Sequence, residues 1–315
     1  MNIIYLDNSA TTPIKSEVLQ EMMPYLTTEY GNASSLYSVG RSAKRAIEKA
    51  RNRVAELLNC NHNEIYFTGG GSESDNIALK GFAYANKEKG NHIITSKIEH
   101  PAILETCKTL ERQGFEVSYI NVNEDGIIDV EELRKSIKSN TILISVMTAN
   151  NEVGTIQPIE EIAKIAHDNN IVFHTDAVQA IGNVQIDVEK MRIDMLSLSS
   201  HKINGPKGVG ALYIKNGIEV EKFINGGHQE KDRRAGTENV AGIVGIGKAA
   251  EIARKNMETH IRNLSKIRDY YIKKVQKEIP NIRINGSMEN RLPGNANISF
   301  KGINASELIF KLDER

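Results

Sequence analysis

Cysteine is scarce in this chain: of 315 residues only Cys60 and Cys107 carry a thiol. They form no CxxC pair and have no clustered histidines beside them, which supports neither a zinc site nor a disulfide framework, and no metal is expected. Cys60 falls at the end of a helical run and Cys107 within residues 102–112, where a buried structural thiol is expected rather than a nucleophile. Net charge is also absent, with Lys and Arg totalling 40 and Asp and Glu totalling 40. No overall field recruits nucleic acid, so the expected ligand is small and no direct nucleic-acid partner is expected. No stretch approaches the roughly 20 apolar residues of a membrane span. The first residues show no basic segment followed by an apolar run, so the expectation is a cytoplasmic protein with no membrane partner. Internal repeats and low-complexity stretches are missing too.

What remains is an ordinary globular composition, 40% hydrophobic and 25% charged, at a length that suits one large domain plus a smaller one. Apolar strand-like runs at 64–67, 92–95, 116–120, 141–147, 171–175, 195–198 and 209–214 alternate with amphipathic segments at 75–87, 101–113, 130–138 and 159–169. That alternation predicts an α/β fold, a mostly parallel seven-stranded sheet with helices on both faces. A long helical pattern from about residue 237 toward 271 is expected to join two domains. Short strands at 282–284 and 296–300, then a helix at 305–312, begin the smaller one, an α+β unit.

In open parallel sheets ligands gather beyond the carboxyl ends of the strands, and five strands here run into a polar or glycine-rich motif. The strand at 195–198 continues into Ser199-Ser200-His201-Lys202 and the turn Gly205-Pro206-Lys207-Gly208. A lysine partly withdrawn from water can act as an amine nucleophile toward an aldehyde cofactor. Lys207 is the competing amine, but a turn lysine stays hydrated. The strand at 171–175 ends in Asp176, a buried acid that a pyridinium nitrogen would pair, with Gln179 one turn on for a ring oxygen. His174 lies deeper on the same strand and is expected in the core. Together these residues predict pyridoxal phosphate. Thr68-Gly69-Gly70-Gly71-Ser72 can cradle a phosphate, with Ser199 and His201 as further donors; the same glycines would equally serve a tight strand-to-helix turn capped by Ser72. The turn has neither the GK[ST] of a nucleotide loop nor the GxGxxG order of a dinucleotide fold. His100, in Glu99-His100-Pro101, can stack on an aromatic ring or exchange protons, or simply cap a Pro-started helix. The Asn150-Asn151 turn offers an amide for a ring substituent, or is only a turn.

Taken in order, Asn8-Ser9-Ala10-Thr11-Thr12-Pro13, Gly-Gly-Gly-Ser-Glu-Ser-Asp-Asn at 69–76, Glu99-His100, Asn150-Asn151-Glu152-Val153-Gly154, His174-Thr175-Asp176-Ala177-Val178-Gln179, Ser-Ser-His-Lys at 199–202 and Arg234-Ala235-Gly236-Thr237-Glu238-Asn239 resemble the cysteine desulfurases of the class V aminotransferase family. The resemblance runs from Tyr5 to the last residue. It implies a fold-type I homodimer with pyridoxal 5'-phosphate at the subunit boundary. The implied reaction converts L-cysteine to L-alanine and delivers sulfur as an enzyme persulfide to an acceptor or scaffold protein, for iron–sulfur cluster, thio-cofactor or tRNA biosynthesis. By the resemblance Lys202 is the Schiff-base lysine and His100 the stacking histidine. Asp176, Gln179 and Asn151 match ring contacts; Gly71, Ser72, Ser199 and His201 match the phosphate site; Thr237 reaches the phosphate of the neighbouring subunit. The implied domains are a large cofactor-binding one at 14–250 and a small one at 1–13 and 251–315.

Two departures stand out. The family usually has Ser-Gly-Ala-Thr where this chain has Gly69-Gly70-Gly71-Ser72, which keeps the hydroxyl donor. Family members also continue past Leu312-Asp313 into a loop holding the nucleophilic cysteine and a segment with a substrate-clamping arginine. The expectation for this exact polypeptide is therefore an incomplete small domain, cofactor binding, and little or no turnover of cysteine. Competing functions are another class V pyridoxal enzyme (an aminotransferase or a kynureninase-like hydrolase), a catalytically silent cofactor-binding scaffold, and, last, a nucleotide-binding protein.

Overall fold

A computed structural model describes residues 4–314; residues 1–3 and 315 of the small-domain assignment lie outside the described residues. Strands β1 (Ile65–Thr68), β2 (His92–Ser96), β3 (Glu116–Ile120), β4 (Thr141–Ser145), β5 (Val172–Asp176), β6 (Met195–Ser199) and β7 (Gly210–Ile214) form one sheet in the order β1-β7-β6-β5-β4-β2-β3. β2 to β6 pair in parallel. β7 runs antiparallel to both β6 and β1, so β1 shares the direction of the rest and β7 alone is reversed. Every motif-bearing strand thus delivers its carboxyl end to the same edge of the sheet, which is what gathers the polar turns.

The helices are α1 (Ser16–Thr27), α2 (Ser38–Leu58), α3 (Gly71–Asn76), α4 (Phe82–Ala85), α5 (Pro101–Arg112), α6 (Val130–Ser136), α7 (Ile159–Asp168), α8 (Val240–Glu278) and α9 (Ala305–Asp313). They cover both faces. Val54, Leu58, Ile162 and Ile246 pack with Ile144 and Phe173 on one side. Leu79, Phe82, Ile103 and Leu110 pack with Leu143 and Leu212 on the other. Central strands buried on both faces need no polar alternation, which is why β4 and β6 read as continuous runs.

Some local features differ from expectation. α1 is not among the expected elements, and the helical run expected to end near Cys60 is α2, which buries Ala43, Ile47, Ala50, Val54 and Leu58 at helical spacing. The helix expected from 75 begins at Gly71, with Gly70 rather than Ser72 as its cap, and passes through a π-helical stretch at Ile77–Gly81. α8, 39 residues long, buries Ala241 to Gly247, Ala249 and Ala250, packing against α1 and α2, and then, further on, Ile272 and Val275. It runs unbroken through residue 250. Beyond it β8 (Ile282–Ile284) and β9 (Ile298–Phe300) make a two-stranded antiparallel sheet followed by α9. No helix among the described residues is long and apolar enough to cross a membrane.

Candidate active site

At the carboxyl edge of the sheet lies a cavity of about 360 Å³ bordered by Gly71, Ser72, His100, Asn151, Asp176, Gln179, Ser199, His201 and Lys202. Nine of the ten residues singled out in the sequence meet there. Thr237 does not: it is exposed and borders a separate cleft with Gly69, Gly208 and Arg234. A wider groove of about 770 Å³ between α2 and α8 is lined by Arg41, Lys44, Arg45 and other charged side chains, several of them already paired, as Arg53 is with Glu21 and Glu251. It contains none of the candidate chemistry.

Each wall of the smaller cavity has a local cause. β5 ends at Asp176, which pairs with Ser197 of β6, and β6 runs on to Ser199, so Asp176 and Ser199 sit at the ends of adjacent strands. Lys202 follows one short turn after β6. His100 caps α5 by accepting from Ala102 N at 3.1 Å, with Pro101 filling the first helical position, and still borders the cavity; the capping role and the site role are held at once. At Gly71 a Cβ would meet Val178 Cγ2 at 2.7 Å, so glycine is what lets the helix start sit against the turn after Asp176. The Asn150-Asn151 turn is braced from the far end of the chain: Gly154 has φ 76°, a Cβ there would meet Asn295 at 2.4 Å, and Asn295 Nδ2 donates to Glu152 O at 3.0 Å.

The segment Asn8–Pro13, which had no assigned role, closes over the site. Thr12 Oγ1 donates to His201 O at 2.8 Å and accepts from Asn204 N at 2.9 Å, and His201 Nδ1 lies 3.1 Å from Thr11 Oγ1. Lys202 Nζ donates to the Ser9 and Ala10 carbonyls, and Gln179 Nε2 donates to Ser9 O at 3.0 Å. Neighbours so far apart in sequence leave no local signal.

Burial shifts the titrating groups in a consistent way. Lys202 falls below its usual amine range because burial disfavours the ammonium, with Asp7 and Asp176 opposing. His201 is lowered by burial and by Lys202 and Lys207. Asp176 is raised by burial, against the Val178 N–H it accepts at 2.8 Å and the nearby His100 and Lys202. Glu99, held by Ser96 Oγ and Met147 N, is pushed up to about 8 by burial. His174, fully buried as expected, drops to about 3 for the same reason. Cys60 and Cys107 are both pushed up to about 12 by burial, and neither borders the cavity. A lysine whose ammonium is disfavoured by burial, a buried acid with no ion-pair partner within 4 Å among the described residues, and an edge of hydroxyl, imidazole and glycine N–H donors fit an anionic ring aldehyde. Neither the partly buried Cys60 nor the buried Cys107 fits a nucleophilic role there.

Comparison with known proteins places the chain in a family. The model of the family described as "Aminotransferase class-V" matches residues 4–315. A "Cysteine desulfurase IscS" of Clostridium botulinum is 55% identical over 312 residues, 98% of this chain and 79% of that protein. The protein of the same description from Methanosarcina thermophila is 54% identical, over 99% of this chain and 77% of its own length. Among solved structures, a "NifS-like protein" aligns with TM-score 0.96 at 40% identity over 99% of this chain and 85% of that one. "SspA in complex with cysteine" aligns with TM-score 0.87 at 38% identity, over 99% and 87%.

Proposed function

The chain belongs to the class-V aminotransferases and, within them, to the cysteine desulfurases, and on that premise we propose how its own residues carry the reaction. The overall change breaks the Cβ–S bond of L-cysteine and passes the sulfur to a thiol, so that L-cysteine and R–SH give L-alanine and R–SSH. Pyridoxal 5'-phosphate, when bound, supplies the electron sink that stabilises negative charge at the substrate Cα.

Lys202 is the amine that holds the cofactor aldehyde, and its lowered proton affinity also suits it to accept and return the Cα proton. Asp176, in carboxylate form, holds the proton of the pyridine nitrogen. Gln179 and Asn151 bond the ring substituents, His100 stacks on the ring, and Gly71, Ser72, Ser199 and His201 hold the phosphate. The Ser9 and Ala10 carbonyls hold the lysine ammonium until the cofactor enters. The observation that supports this assignment is that Lys202 and Asp176 border one cavity, which Gly71, Ser72, Ser199 and His201 border as well. Residues 14–250 form the cofactor-binding unit, with 1–13 and 251–315 as the smaller one. A second copy covers the exposed Leu26, Tyr30, Leu36 and Tyr37 and receives Thr237 at its phosphate. The setting is the cytoplasm, and a sulfur acceptor or scaffold protein takes the persulfide.

Adding pyridoxal 5'-phosphate should give a visible band that survives gel filtration and is lost in Lys202→Ala; a band retained by that variant assigns the amine elsewhere. Because neither thiol of these 315 residues faces the cavity, alanine formation from cysteine should depend on an added thiol such as dithiothreitol. Equal output without one would contradict this.

A further inference from the structure

The same cavity is bordered by a carboxyl that none of the contacts above uses. Asp75, on α3, is 1% exposed, and its Oδ1 has no hydrogen-bond partner. A dry interior tolerates an ionised group in that condition least. Its surroundings come from every adjoining element: Asp176 and His174 on β5, Ser197 on β6, Glu99 before α5, and His100 and Lys202 elsewhere around the cavity. Among the described residues the one basic side chain within 4 Å is His174, whose Nε2 is 3.9 Å from Asp75 Oδ1. His174 supplies no countercharge. Its Nδ1 lies 2.9 Å from Ser145 Oγ and its Nε2 3.0 Å from Ser197 Oγ, and in full burial the ring stays neutral.

Resting on the pyridoxal phosphate reading above, we propose that Asp75 keeps a proton at neutral pH and that this neutral carboxyl is a positioning residue, confining the negative charge beside the ring to Asp176. Two carboxyls sharing a low-dielectric site do not both ionise, and the proton goes to the one with fewer donors. Asp176 accepts the Val178 N–H and has Lys202 and His100 near it; Asp75 Oδ1 accepts nothing. The proton affinity of Asp75 is raised first by burial and next by Asp176, with Ser197 opposing. An ionised Asp75 would put a second anion beside the one that pairs the ring nitrogen, whereas a protonated one leaves that pairing undivided.

Infrared difference spectra of wild type against Asp75→Asn test this with and without pyridoxal 5'-phosphate. The expected result at pH 7 is a protonated-carboxyl C=O stretch that the variant lacks in both states. Asp75→Asn copies the neutral carboxyl in shape, so its cofactor affinity should stay within about threefold of wild type. No difference at the protonated-carboxyl stretch overturns the proposal. So does a loss of affinity beyond about tenfold in a variant that still unfolds at the wild-type denaturant midpoint. If the variant does not fold, carbon-13 shifts of labelled aspartate carboxyls in the wild type read the same proton, and an all-carboxylate spectrum at pH 7 is the overturning result. A wild type that takes up no pyridoxal 5'-phosphate sinks the functional reading alone, since the infrared and carbon-13 measurements are also made without it.

Discussion

Two of the regions in which this molecule buries acids treat them in opposite ways. Glu230, 7% exposed, meets Arg51 in a two-pronged pair, Nη1 to Oε2 at 2.8 Å and Nη2 to Oε1 at 2.9 Å, and also accepts Phe67 N at 2.8 Å. Arg51 in turn donates to Ile65 O at 2.7 Å and lies 4.8 Å from the centre of the Phe67 ring. Charge and hydrogen-bonding capacity are both matched, and the pair holds Glu230 at φ 44° in the left-handed region that non-glycine residues seldom adopt. Asp75, Glu99 and Asp176 are as deeply buried, yet no arginine reaches any of them in an ion pair among the described residues. A matched acid is an anchor for the chain. An unmatched one is sustained only where protonation or an incoming cation completes it, which is what a binding site for a protonated ring provides.

The largest effect that would sharpen this contrast is at the anchor. Arg51→Met should destabilise the protein by about 3–5 kcal/mol in urea unfolding, because it strands a buried carboxylate, while Arg51→Met with Glu230→Leu should recover most of it. A single variant near wild-type stability would erase the distinction. Next comes Asp176→Asn. In wild type, pyridoxal 5'-phosphate at a hundredfold excess over its Kd should add about 2.7 kcal/mol of stability. The variant should lose most of that gain yet be no less stable than wild type without cofactor, since it removes an unmatched acid.

A third test is the pH dependence of the cofactor-free protein. Glu99, raised to about 8, favours its protonated form in the fold, so its contribution is full below the ordinary carboxylate range and is lost as pH rises through about 8. His174, lowered to about 3, works the other way: its contribution is present above the usual histidine range and lost as pH falls through about 3. Stability measured across pH 3–9 should therefore fall off on both sides, and Glu99→Gln should make the alkaline side less steep, where Asp75 still contributes, and leave the acid side unchanged. An unchanged alkaline limb in that variant would remove Glu99 from the account. The smallest effect belongs to the surface. Glu105 and Lys108, 2.7 Å apart but 66% and 55% exposed, should couple by no more than about 0.5 kcal/mol in a double-mutant cycle.

Much of the site was legible because each piece is local. Ser199-Ser200-His201-Lys202 follows an apolar strand directly, Asp176 ends another, and the glycines at 69–71 sit between strand and helix, so order along the chain already implied a shared sheet edge. The long helical pattern after residue 237 likewise emerged as α8. Of α2 only the end near Cys60 was among the expected segments, although its whole length carries an equally readable spacing. What had no local sign is what depends on distant partners. Ser9 meets Lys202 across 193 positions, Arg51 meets Glu230 across 179, and Asn295 supports the turn at Asn151 from beyond α8.

Taken alone, the order of residues determined a mostly parallel α/β sheet, its motif-bearing edge, and the lysine and the acid that border one cavity there, since periodicity and motif chemistry are properties of short stretches. Only the tertiary structure decided which buried acids are compensated. It left Asp75 Oδ1 without a donor, closed the first turn of the chain over Lys202 and kept Thr237 outside the cavity of its own chain. The reason is electrostatic: the cost of a buried charge is set by whatever stands within a few ångströms of it, and those neighbours come from segments that meet only once the sheet has formed.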